Sequence, residues 1–165
     1  MERLERPWVS LGKIATAKSL MELYLWPTPS GPKLVLEGVQ YEPRLTLRHY
    51  LDLGWFLTLV EEVVSERFKT RGKIESYKGS QGRSRVLEVR YLADRNYPYQ
   101  VVLHEGPGET VGKGIVKPIR LDQKILLAAD EWGIKSWLLE ARQLLQLELQ
   151  RTHKEGGRSS YAVPL

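Results

Sequence analysis

The sequence predicts an α+β fold, an antiparallel β-sheet (or two strands-then-helix units) packed with two long α-helices. Three observations predict it. Short runs of alternating apolar residues are separated by hairpin-length turns. Two longer stretches switch to helical spacing. The order is strands, helix, strands, helix, which segregates the element types instead of interleaving them as a doubly wound parallel sheet does. A length of 165 residues suits one domain with a sizeable core. Residues 1–152 read as a single α+β domain with units spanning about 8–68 and 69–152, and residues 153–165 as a flexible tail.

The first strand is expected from Gly12 to Lys18, extended by Trp8-Val9-Ser10-Leu11. In the next, Met21, Leu23 and Leu25 alternate with Glu22, Tyr24 and Trp26, the period of a half-buried strand. Pro27-Thr28-Pro29-Ser30-Gly31-Pro32 turns the chain, and Leu34 to Tyr41 forms the partner strand, ended by Pro43. From Leu45 to Phe68 a helix is expected. Leu53, Phe56, Leu57, Val60, Val63 and Val64 recur at helical spacing, and Glu61, Glu62 and Glu66 lie off that stripe. Thr46 is the expected N-cap. Gly54 weakens this helix by about 1 kcal/mol relative to Ala and marks a close packing contact.

Four strands are expected next, at Lys73–Lys78, Ser84–Ala93, Tyr97–Glu105 and Ile115–Ile119. Gly79-Ser80-Gln81-Gly82 and Asp94-Arg95-Asn96 join them as hairpin turns. Gly106 to Gly114 is glycine-rich and reads as a mobile loop. The last third reads as helical, capped by Asp122, with segments Leu126–Trp132 and Ile134–Gln150 broken at Gly133. Ile134, Trp137, Leu138, Ala141, Leu144, Leu145 and Leu149 make one stripe. Leu139 and Leu147 lie off it, so the helix has a second apolar side, which suits a homo-oligomer contact.

The charge pattern points to a polyanion. The chain carries a formal net charge of +5 and a pI near 9.4. Between Lys69 and Arg85, six basic residues (Lys69, Arg71, Lys73, Lys78, Arg83, Arg85) face one acid, Glu75, on a glycine-tipped hairpin. Aromatic residues supply the second half of the pattern. Tyr24 and Trp26 share the face opposite Met21, Leu23 and Leu25, and Tyr77 lies within the basic hairpin. Rings beside lysines and arginines on an open sheet make a stacking platform for unpaired bases, each stack contributing about 1–3 kcal/mol. Tyrosines favour strands in any case, and Tyr99, in step with Val101 and Leu103, belongs to the core.

Catalytic and metal motifs are not found. Gly112-Lys113-Gly114 lacks the hydroxyl residue and the upstream glycine of a P-loop, which leaves Lys113 as a phosphate contact only. His49, His104 and His153 do not stand at metal-ligand spacing. No Gly-x-Ser-x-Gly elbow is present. With no cysteine, disulfides and thiolate chemistry are excluded. No apolar run approaches the roughly 18 residues of a membrane span, and the charged Met1–Arg6 start does not resemble a signal peptide, so the expected location is cytoplasmic.

The order strands–helix–strands–helix, over nearly the whole chain, resembles the Whirly family and related single-stranded DNA-binding folds of the transcriptional-coactivator type. Lys73 to Gln150 matches one such unit best, its strands running through Ile115-Val116-Lys117-Pro118-Ile119 into the helix begun near Asp122. The first half is one strand short unless Trp8 to Lys18 supplies two, and the family's lysine-rich motif has no counterpart. The resemblance implies sheets that bind unpaired strands, with DNA favoured over RNA.

The resulting expectation is a single-stranded nucleic-acid binder without cofactor. Lys69, Arg71, Lys73, Lys78, Arg83, Arg85 and Lys113 would meet phosphates, and Tyr24, Trp26 and Tyr77 would stack on bases. Two alternatives stand beside it. One is an assembly factor acting through the C-terminal helix. The other is a nucleic-acid-processing enzyme using His104 and Glu105.

Overall fold

The computed structural model describes residues 8–113 and 115–156. Alternation builds a first sheet from four antiparallel strands in chain order, β1 (Val9–Ala15), β2 (Ser19–Thr28), β3 (Gly31–Gln40) and β4 (Leu45–Leu51). Along β2, Met21, Leu23 and Leu25 are buried while Glu22, Tyr24 and Trp26 lie half-buried on the other face, as alternation requires. Pro27 and Pro32 do not end the strands. They face each other at the tip of the ladder, and only Pro29-Ser30 turns.

β4 corrects the expected helix start. Leu47, His49 and Leu51 are buried and Thr46, Arg48 and Tyr50 are not, a period of two. Thr46 is therefore a strand residue, not a cap. This is also the strand the first half seemed to lack, since Trp8 to Lys18 supplies one strand only. The helix α1 (Leu53–Val64) begins after Asp52, and Gly54 has open space where a Cβ would go, so it marks no close contact. One further helical turn, α2 (Phe68–Arg71), precedes the second sheet.

That sheet comprises β5 (Lys73–Ser80), β6 (Arg83–Tyr91), β7 (Tyr99–Gly112), β8 (Ile115–Pro118) and β9 (Gln123–Ala129). β6 lies between β5 and β7, and β7 pairs with both β9 and β8 at different parts of its length. The β5–β6 turn is Gln81-Gly82, at φ 55° and 78°, the conformation whose twist matches a hairpin. Gly106 to Gly112 is strand, not mobile loop. Its glycines allow close approach: a Cβ on Gly106 would lie 2.1 Å from the Arg120 carbonyl oxygen, and one on Gly108 would lie 2.6 Å from Val116.

The second correction is β9. Ile125, Leu127 and Ala129 alternate into the core, and such a short apolar run is ambiguous between helix and strand by periodicity alone. The helix α3 (Glu131–Gly156) starts later, so Asp122 caps nothing. Asp130 caps it instead, its Oδ1 accepting the Gly133 amide at 2.7 Å, and Gly133 sits in the first turn without breaking the helix. Residues 153–156, assigned to the tail, are helical, and 157–165 lie outside the described residues. No described helix is long and apolar enough to cross a membrane.

The inner faces of both sheets, α1 and α3 share one core that includes Phe56, Phe68, Tyr99 and Trp137. At the join, His49 of β4 is fully buried and its Nε2 bonds the Ser76 hydroxyl of β5 at 2.9 Å. Burial, then the nearby Lys78 and Arg85 charges, push its pKa down to about 3. Below about pH 6.5 the unfolded chain binds a proton that folded His49 refuses. Stability therefore rises with pH from about 3 to about 6.5 and is lost on acidification through that window.

Two predictions follow from this packing. Urea unfolding at pH 7 and 4.5 should show the wild type losing about 2–3 kcal/mol more than His49→Gln, and equal losses would refute the buried neutral histidine. At pH 7, Gly106→Ala should destabilise by at least about 2 kcal/mol, whereas Gly54→Ala should stabilise by up to about 1 kcal/mol.

Candidate nucleic-acid interface

The strand parity that buries Met21, Leu23 and Leu25 leaves a row of rings on the outer face of the first sheet. Trp8, just before β1, lies 5.4 Å from Tyr24 and 6.2 Å from Trp26, centroid to centroid. Trp26 in turn lies 5.8 Å from Tyr50. In register, Tyr24 and Tyr50 both pair with Val35 of β3, and Trp26 pairs with Lys33, so the rings cross the sheet from β1 to β4. The Arg48 guanidinium lies 5.2 Å above the Trp8 ring while its Nε donates to Glu37 at 2.8 Å.

The second sheet adds cations to the end of this row. Its core row Ser76–Leu87–Leu103–Ile125 is followed on the same face by the polar row Lys78–Arg85–Glu105–Gln123. Because the sheets meet at β4, that polar row overhangs Tyr50. The Arg85 guanidinium lies 5.9 Å from the Tyr50 ring centroid. Two open clefts of about 350 Å³ each flank Tyr50. One is lined by Trp26, Lys33, Asp52 and Lys78, the other by Thr46, Arg48, Arg85 and Glu105. The cations are paired: Lys78 with Asp52 at 3.0 Å, Arg85 with Glu105 at 3.6 Å, and Arg83 with Glu105 at 3.3 Å. Lys33 has no ion pair among the described residues.

Of the ten residues singled out from sequence, Tyr24, Trp26, Lys78 and Arg85 converge here, with Arg83 one step further along β6. The others do not. Lys69 bridges Glu66 and Glu131 and lies 5.8 Å from the Tyr91 ring centroid, which ties α2 to α3. Arg71 donates twice to Glu62, at 2.6 and 3.0 Å, and these bonds hold the Glu62 carboxyl below the usual range. Lys73 and Tyr77 point to the opposite face of the second sheet, where Lys117 covers the Tyr77 ring at 5.1 Å. Lys113 sits at the exposed β7–β8 turn.

His104 and Glu105 are also separated. Neighbours on a strand point to opposite faces. His104 Nε2 donates to Glu88 at 2.7 Å, whereas Glu105 faces Arg83 and Arg85. Burial pushes Glu88 up, but hydrogen bonds from His104 and Arg90 outweigh it and hold the carboxyl below its ordinary value. Among the described residues, no three histidine or acidic side chains group as metal ligands.

Four further residues at this surface, Trp8, Lys33, Arg48 and Tyr50, are not among those singled out. For Arg48 and Tyr50 the signal was present, as the period-two pattern from Leu45 to Leu51. For Trp8 and Lys33 only the strand register places them beside Tyr24 and Trp26.

No protein-family model matches the chain, and no curated protein matches it. Solved structures do. The structure of the plant transcriptional regulator PBF-2 superposes with a TM-score of 0.56 at 14% identity, covering 90% of this chain and 87% of that one. WHY3 from Arabidopsis thaliana superposes with a TM-score of 0.53 at 13% identity, covering 92% of this chain and 97% of that one. The fold is Whirly-like.

Proposed function

We propose that this chain binds single-stranded nucleic acid, DNA in preference to RNA, across the outer face of the first sheet. The observation that carries the reading is the convergence of Trp8, Tyr24, Trp26 and Tyr50 with Arg48, Lys78 and Arg85, which come from two different sheets. Unpaired bases have free π-faces, and bases in a duplex are already stacked, so an aromatic row of this kind selects single strands. The ion pairs at the site are partly exposed, and such pairs are individually worth only about 0–1 kcal/mol. A phosphate can therefore replace Glu105 or Glu37 as the partner of an arginine at little cost. The preference for DNA and a role in gene regulation rest on likeness to the Whirly fold and to a plant transcriptional regulator.

A second copy of the chain is the proposed protein partner, seated on the outer side of α3. Trp132, Leu139 and Leu147 are 81%, 37% and 54% exposed there, opposite the buried Ile134, Trp137 and Ala141. Their spacing of seven and eight residues places them on one stripe, which a two-fold pairing of α3 with itself would bury.

Fluorescence anisotropy with labelled single-stranded DNA, duplex DNA and single-stranded RNA, at two salt concentrations, tests the first reading. Single-stranded DNA should bind tightest. Tyr50→Ala should weaken it about five- to a hundredfold, and Arg85→Ala should flatten the salt slope by about one phosphate contact. Lys73→Ala, on the other face, should change neither. Duplex bound as tightly as single strand would refute the reading. Light scattering tests the second: a Leu139→Asp/Leu147→Asp variant should lose mass relative to an oligomeric wild type, and a monomeric wild type would end it.

A further inference from the structure

Asp52 stands at the N-cap position of α1, with extended backbone at φ −79° and ψ 144°, yet its side chain makes no capping hydrogen bond. An aspartate at this position ordinarily accepts an amide of the first turn, an interaction worth about 1 kcal/mol. Here the carboxylate turns into the cleft between Trp26 and Tyr50, where Oδ2 accepts Lys78 Nζ at 3.0 Å. The side chain remains 63% exposed, so acceptor sites on both oxygens are open to a ligand. The cleft thus offers an aromatic wall, a carboxylate acceptor and an ammonium donor side by side.

This combination suits the edge of a base: a phosphate would take Lys33, which has no ion pair among the described residues, and leave the Asp52 carboxylate without a partner from the ligand. A carboxylate can accept two adjacent N–H groups at once. Among the four bases, guanine presents two adjacent donors, N1–H and N2–H, beside an acceptor, O6. Adenine and cytosine each offer one donor group there, and thymine one N–H. The cleft on the other side of Tyr50 lacks this disposition, because Glu105 is engaged by both Arg83 and Arg85.

Resting on the single-strand reading above, we infer that the cleft between Trp26, Tyr50 and Asp52 is a guanine-selective subsite. The base stacks against the aromatic wall, Asp52 accepts from N1–H and N2–H, and Lys78 donates to O6. Selectivity then resides in one position of an otherwise sequence-tolerant surface.

The test is anisotropy on the full chain with an oligo(dT) strand, and with the same strand carrying guanine, inosine or adenine at its centre. Guanine should bind about tenfold tighter than thymine. Inosine, which lacks the N2 amino group, should lose most of that gain, and adenine should show none. Asp52→Asn should bring guanine to within about twofold of thymine, because the amide nitrogen cannot accept. Equal binding of guanine and thymine strands would overturn the subsite and leave single-strand binding standing. A guanine preference that survives in Asp52→Asn would overturn the assignment to Asp52. No binding of any strand, at low salt, would overturn both readings.

Discussion

The packing of one sheet's inner face on the other is the constraint on which the rest of this structure depends. It is close enough that a Cβ on Gly38 would lie 2.7 Å from Leu103 and 3.1 Å from Met21. Below that contact the two sheets and both helices share one core. At its margin the apolar rows give way to His49 and Ser76, then to Lys78, Arg85 and Glu105. The polar margin of the second sheet therefore cannot be moved relative to the aromatic face of the first without opening the core. His49 registers the same constraint chemically. It is held neutral because burial and two neighbouring cations leave no room for a third charge.

A sheet face lined with rings would ordinarily be an aggregation hazard. Here guanidinium groups cover Trp8 and Tyr50, and carboxylates neutralise those guanidinium groups in turn. Arg48, Lys78, Arg83 and Arg85 are thus already partnered, whereas Lys33 has no ion pair among the described residues. Under the proposed function, binding of a polyanion is an exchange of partners, not the filling of a bare positive patch. This also explains why the most basic stretch of the sequence is not one surface. Lys69 and Arg71 pair with Glu66, Glu131 and Glu62, joining helical elements to one another, and Lys73 pairs with Glu75 and Glu88 on the outer face of the second sheet.

α3 serves two faces at once. Ile134, Trp137, Leu138, Ala141 and Leu145 close the core beside β1, where Trp137 Nε1 also donates to the Gly12 carbonyl. Glu66, Lys69, Glu131 and Lys135 clamp its first turn to the end of α1, and hydrogen bonds from Lys135 and then Lys69 lower the pKa of Glu66 to about 2. A helix held at its start and along one stripe presents its other stripe as a rigid surface.

Local periodicity determined the α+β class, the alternating faces of β2, the hairpin of β5 and β6, and the burial of Tyr99, because each depends on side chains a few residues apart. It failed at β4 and β9, two seven-residue strands that directly adjoin true helices and are short enough to be read as part of them. It read Gly106 to Gly114 as mobile because glycine permits both freedom and close approach, and at Gly106 and Gly108 only the neighbouring Arg120 and Val116 distinguish them. The site was half legible for the same reason. Sequence placed Tyr24 and Trp26 on one face and Lys78 and Arg85 on one hairpin. Only the tertiary structure decided that these meet at Tyr50 while Tyr77 and Lys73 face away. Which cation reaches which ring is set by contacts between strands dozens of residues apart, and no short-range pattern records them.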